Sequence, residues 1–102
     1  MEDLTGRVAA VTGAGSGIGR ALAVELSHCG AHLALADIDE DGLAETVALC
    51  EGRGVKVTAQ RLDVAERDAV EAWADAVVEA HGRVNLIVNN AGVALGAPIE
   101  TM

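Results

Sequence analysis

Short apolar runs alternate along the chain with longer segments whose apolar residues recur every three or four positions. The runs read as strands and the periodic segments as helices. Side chains alternate across a strand, but they return to one helix face every 3.6 residues or so. A first strand is predicted over Arg7–Thr12, then a helix over Gly17–Cys29 with Ile18, Leu22 and Leu26 facing inward and Gly30 as its stop. A second strand follows at His32–Ala36. Asp39 or Asp41 could cap the next helix, which reaches Glu51 and turns Leu43, Val47 and Cys50 inward. Gly52-Arg53-Gly54 ends it, and a third strand is expected over Val55–Leu62. The clearest helical stripe is Val70, Trp73, Ala74 and Val77 within Glu66–Ala80, closed by Gly82. Val84–Val88, apolar except for Asn85, makes a fourth strand.

Repeated β-α-β units with right-handed crossovers predict an α/β fold, one parallel sheet in the order 3-2-1-4 with helices on both faces. This Rossmann-like, three-layer arrangement is the dinucleotide-binding half-fold. No repeat or linker divides the 102 residues, which make one domain at most. Composition agrees. The chain is 51% hydrophobic, with no Phe or Tyr and a single Trp73, and small aliphatic side chains suit strands covered on both faces. Trp73 is expected in the packing and not at a ligand.

Chemistry gathers at the strand ends. The first strand runs into Thr12-Gly13-Ala14-Gly15-Ser16-Gly17-Ile18-Gly19 and at once into a helix. Such a turn leaves backbone N–H groups unpaired at the positive end of the helix dipole, where a phosphate is attracted. Glycine permits the turn and lets a diphosphate reach the backbone. The common Gly-x-Gly-x-x-Gly spacing fits poorly, because Ile18 stands three after Gly15; the glycines that fit are Gly13, Gly17 and Gly19. Asp37 follows the second strand, 18 residues beyond Gly19. A carboxylate there can accept both ribose hydroxyls of an adenosine and repels a 2′-phosphate. No Arg or Lys stands near Asp37 in sequence and Ser16 is uncharged, so NAD is favoured over NADP. Asp63-Val64 follows the third strand; Asp63 either meets an adenine amino group or caps the next helix. Asn89-Asn90-Ala91-Gly92 follows the fourth.

Other partners are argued against. A net charge of −9 disfavours nucleic acid and anionic membranes. No stretch approaches the ~18 apolar residues that cross a bilayer, and Met1-Glu2-Asp3 does not resemble the start of a signal peptide. Cys29 and Cys50 make no disulfide framework, and a reducing cytoplasm is expected. His28, Cys29 and His32 span a helix end and a strand start, which argues against a metal site.

With these residues placed, nearly the whole chain resembles the N-terminal half of a short-chain dehydrogenase/reductase, an incomplete half of that family's seven-stranded doubly wound fold. The carriers are Thr12–Gly19, Asp37, Asp63-Val64 and Asn89–Gly92. The resemblance implies cofactor-binding roles for Gly13, Ser16, Gly17, Ile18, Gly19, Asp37, Asp63, Val64 and Asn90. It also implies hydride transfer between an alcohol and a carbonyl by a parent protein that is a homo-oligomer. The family's catalytic Ser, Tyr and Lys would all lie past residue 102. This chain has no Tyr, and its single lysine, Lys56, falls inside the third strand. It is therefore expected to be a fragment that binds NAD but is inactive alone. The fourth strand would form an apolar sheet edge, from which aggregation or partial folding is expected. Two other readings stay open: a non-catalytic nucleotide-binding regulatory module, and a structural protein whose glycines are only turns. 

Overall fold

A computed structural model describes residues 3–90. The elements are β1 (Val8–Thr12), α1 (Gly17–His28), β2 (His32–Asp37), α2 (Glu40–Cys50), β3 (Val57–Arg61), α3 (Arg67–His81) and β4 (Leu86–Asn89). The four strands form one parallel sheet in the order β3-β2-β1-β4, as the alternation of elements predicts. Ala10 of β1 stands between Ala34 of β2 and Ile87 of β4, and Ala34 in turn faces Thr58 of β3.

Although β1 and β2 are apolar throughout, their period-two geometry still assigns each residue to a face. Ala9, Val11, Leu33 and Leu35 point to the side packed by α1 and α2, where Ala23, Leu26, Leu43, Cys50 and Val88 complete the larger cluster. Ala10, Ala34 and Ala36 point the other way, and Leu62, Trp73 and Val77 close on them. The one large ring of the chain thus lies on the face built from alanines.

Several boundaries and faces differ from expectation. Ile18 does not face inward and is 53% exposed; the buried face of α1 runs through Gly19, Ala23, Leu26 and Ser27. The stripe is displaced by one residue because Gly19 must lie against Gly13. Ala74 is exposed, so α3 buries only Trp73 and Val77, with Ala69 and Val70 partly covered. β3 starts late because the Lys56 amide donates to His32 Nδ1 at 2.9 Å instead of to a strand carbonyl. It is an edge strand, exposed over its last three residues and not buried on both faces. β4 starts late because Asn85 Oδ1 accepts the Val8 amide at 2.9 Å. Of the two proposed caps of α2, Asp39 is the one used: Oδ1 accepts from Gly42 N at 3.1 Å. Among the described residues no helix is long and apolar enough to cross a membrane.

At the rim where β2 and β3 begin, three basic side chains converge. Thr58 Oγ1 and His81 Nε2 are 2.8 Å apart, and the Lys56 ammonium donates to the Ala80 carbonyl. Burial, then the charge of Lys56 and the neighbouring His32, pushes the His81 pKa below its ordinary value. These outweigh the pull of the negative end of α3, which alone would favour the charged ring. The folded chain therefore binds the His81 proton more weakly than the unfolded chain. Its contribution is fully present above pH ~6.5 and is lost as pH falls below that value. The melting temperature should fall between pH 7 and 5, and His81→Gln, which keeps a partner for Thr58, should flatten that fall. An identical profile in the variant would assign the loss to other groups.

Candidate functional site

Because every strand runs the same way, the exits of β1 to β4 lie on one edge of the sheet. β1 ends at Thr12, and Gly13 turns the chain with φ +65°. Ala14 is buried and its amide donates to the Ala36 carbonyl at 3.1 Å, which pins the loop to the end of β2. Gly15 is also buried, whereas Ser16, Gly17 and Ile18 are exposed. Ser16 caps α1 in extended geometry but makes no side-chain cap bond. The first-turn amides of α1, which have no intrahelical acceptor, are thus left to an outside partner.

The glycines serve different contacts. A Cβ on Gly19 would lie 2.0 Å from the Gly13 carbonyl oxygen, so α1 can approach β1 this closely only with glycine there. A Cβ on Gly15 would meet Asp37 Oδ2 at 2.8 Å. Gly17, at φ +54°, faces open space. The bare backbone at Gly17, beside free helix-start amides, fits a diphosphate.

Asp37 lies against this loop. Its Oδ2 accepts from Gly15 N at 2.7 Å and its Oδ1 from Asp39 N at 2.9 Å. One amide on each oxygen fixes the carboxylate plane and leaves each oxygen able to accept again. The sequence shows no cation near Asp37, but the fold supplies one: Arg61 stands directly opposite it in the β2–β3 ladder. Arg61 forms no ion pair with Asp37; the one ion pair among the described residues joins Arg20 to Glu45 at 3.6 Å.

Asp63 and Val64 follow β3, whose exit is tied to Asp37 through Leu62 N to Asp37 O at 3.0 Å. Asp63 does not cap α3. Its Oδ1 accepts from Ala65 N at 2.9 Å in a tight turn, while Glu66 occupies the cap position without a side-chain bond. Val64 packs against the Trp73 cluster. At β4, Asn90 reaches back to β1: its amide donates to Thr12 Oγ1 at 3.0 Å and its Nδ2 to the Gly13 carbonyl at 3.4 Å. Thr12 Oγ1 lies 3.1 Å from Asn89 Oδ1, so the β1 and β4 exits are clasped together. Ala91 and Gly92 lie outside the described residues. The edge therefore brings together glycine loop, Asp37 and Asn90, with Asp63-Val64 at the adjoining strand end.

Among the described residues no three His, Cys, Asp or Glu side chains converge on a point a metal could occupy. Cys29 and Cys50 are free, and burial pushes the Cys50 thiol pKa up, which keeps it protonated.

A family model described as short chain dehydrogenase matches residues 7–102. The chain belongs to the short-chain dehydrogenase/reductase family. SadH of Mycobacterium tuberculosis, named as an oxidoreductase, is 55% identical over 100 residues, 98% of this chain and 36% of SadH. A short-chain dehydrogenase/reductase from Burkholderia phymatum, solved in complex with NAD, is 46% identical with a TM-score of 0.79. The match covers 85% of this chain and 31% of that one. A short-chain dehydrogenase of Mycobacterium paratuberculosis bound to NAD is 38% identical with a TM-score of 0.84, over 90% of this chain and 39% of the other. The chain thus spans between 31% and 39% of the length of these relatives.

Sequence reasoning passed over Arg20 and Thr46 in this short-chain dehydrogenase/reductase site, and it included Thr12 in the motif without giving it a role. Arg20 carried a signal. A cation in the first turn of a helix opposes the dipole, so it needs a specific acceptor elsewhere. The structure supplies three, Gly15 O at 2.6 Å, Gly42 O at 3.0 Å and Thr46 Oγ1 at 2.9 Å. Thr46 gave no such sign, since its partner Ala14 is 32 residues away.

Proposed function

We propose that residues 1–102 form the cofactor-binding segment of an NAD-dependent oxidoreductase that interconverts an alcohol and a carbonyl by hydride transfer. In this reading the backbone at Gly13, Ser16, Gly17, Ile18 and Gly19 receives the diphosphate. Asp37 accepts the adenosine ribose hydroxyls, Asp63 and Val64 border the adenine, and Asn90 meets the cofactor beside β1. The bound nicotinamide supplies the hydride acceptor or donor. The reading is carried by the Asp37 carboxylate, held 2.7 Å from Gly15 N with acceptor capacity to spare beside the loop's helix-start amides. Its charge disfavours a 2′-phosphate, and Arg61 across the ladder makes no ion pair with it that would offset that charge, so NAD is the cofactor in preference to NADP. The Lys56 ammonium is spent on the Ala80 carbonyl at the rim where β3 begins, so no described residue is assigned to proton transfer. Two free thiols accord with a cytoplasmic setting. A small alcohol or ketone substrate and a homo-oligomeric parent belong to the same proposal.

Calorimetric titration with NADH and NADPH tests it. Asp37→Ala should weaken NADH by about tenfold or more, the scale of hydrogen bonds to a charged group, while changing NADPH far less. Equal losses for the two cofactors would overturn the assignment of Asp37 to the ribose. No uptake of NADH by the unaltered chain, shown to be folded by circular dichroism, would overturn the proposal itself.

A further inference from the structure

Two consecutive peptide units of the glycine loop are each held at both ends or by their carbonyl, and the holders come from outside the loop. Thr46 of α2 is fully buried, and its hydroxyl donates to the Ala14 carbonyl at 2.7 Å. The Ala14 carbonyl and the Gly15 amide belong to one planar, trans unit, so their C=O and N–H point in opposite directions. Drawing the carbonyl toward Thr46 therefore aims the amide the other way, at Asp37 Oδ2. The next unit is set by Arg20: its Nη2 holds the Gly15 carbonyl, which turns the Ser16 amide away from α2. The same guanidinium spans Gly42 O and Thr46 Oγ1, so Thr46 accepts from Arg20 while it donates to Ala14. Gly42 makes the approach possible, because a Cβ there would lie 2.5 Å from the Gly15 carbonyl oxygen.

We infer that Thr46 and Arg20 are positioning residues for ribose recognition: Thr46 acts through the Ala14–Gly15 peptide to set the Asp37 carboxylate, and Arg20 holds both the Thr46 hydroxyl and the Gly15 carbonyl in place. The inference rests on the nucleotide reading above and adds to it a specificity determinant on α2. Neither side chain touches the cofactor in this account. Removing the Thr46 hydroxyl frees the Ala14 carbonyl to rotate, and the Gly15 amide then no longer fixes the carboxylate plane.

The test is a double-mutant cycle read by NADH and NADPH titration of the full chain, with circular dichroism to establish folding. Thr46→Val keeps the shape and removes the hydroxyl. It should weaken NADH about tenfold and narrow the preference for NADH over NADPH, while in the Asp37→Ala background the loss shrinks to about twofold or less. Thr46→Ser should restore both affinity and preference. Should Thr46→Val not fold, Arg20→Lys enters the same cycle, since an ammonium lacks the planar fork that spans these acceptors. A purely structural strap would give the same loss with or without Asp37, and an unchanged ratio between the cofactors; either result overturns the inference. Failure of the folded, unaltered chain to take up NADH would instead overturn the reading on which it rests.

Discussion

Gly19→Ala should abolish NADH binding and destabilise the fold by about 3 kcal/mol, the upper range for forcing extra volume into a packed site. The new methyl would lie 2.0 Å from the Gly13 carbonyl oxygen, 2.7 Å from its carbon and 2.9 Å from Asn90 Nδ2. Two of these atoms are backbone, in a residue at φ +65° that is itself held in the turn, so no side-chain rotation relieves the contact. Relief requires α1 to back away from β1, which carries the Ser16–Ile18 amides off the edge where Asp37 and Asn90 stand. Urea unfolding and NADH titration would check both halves. Wild-type affinity in a folded variant would show that α1 need not sit so close to β1 for binding.

Trp73→Ala should be as damaging by a different route, costing about 3–5 kcal/mol, the usual range for truncating a buried aromatic. The indole is 7% exposed and covers Ala10, Ala34 and Ala36. Methyl groups on a rigid sheet cannot move in to fill the space, so the cavity stays open. Domains of this size carry about 5–15 kcal/mol of stability, so the loss is a large share of the total. A urea midpoint followed by circular dichroism at 222 nm measures it. A shift worth less than about 1 kcal/mol would mean that α3 is held chiefly by Val77, Leu62 and Val70.

The order of the sheet was legible because each apolar run is short and each helix is bracketed by glycine or a polar cap. The edge carrying the candidate site was legible for the same reason, since Gly13–Gly19, Asp37, Asp63-Val64 and Asn89-Asn90 all lie at or just past the ends of strands. Faces were harder. Periodicity places Ile18 with Leu22 and Leu26, but the contact between Gly19 and Gly13 sets the rotation of α1, and a glycine contributes nothing to an apolar stripe. The ends of β3 and β4 were misjudged because His32 and Asn85 side chains take backbone amides that a pattern assigns to the ladder.

The electrostatics of the site were the least legible part. Arg61 is 24 residues from Asp37 in sequence and directly across from it in the sheet. Likewise, the contacts of Arg20 and Thr46 join residues 22 to 32 positions apart, apart from the short links of Arg20 to Gly15 and of Thr46 to Gly42. Only the closure of the β-α-β units brings these partners together, so no local spacing announces them.

The contrast between the two sides of the sheet has a practical outcome. A lone indole packed against alanines, on the side away from α1 and α2, makes emission from this chain a private gauge of α3 docking. Heat released at the glycine loop and light emitted from beneath α3 would come from separate places, so one sample can tell loss of a ligand from loss of the fold.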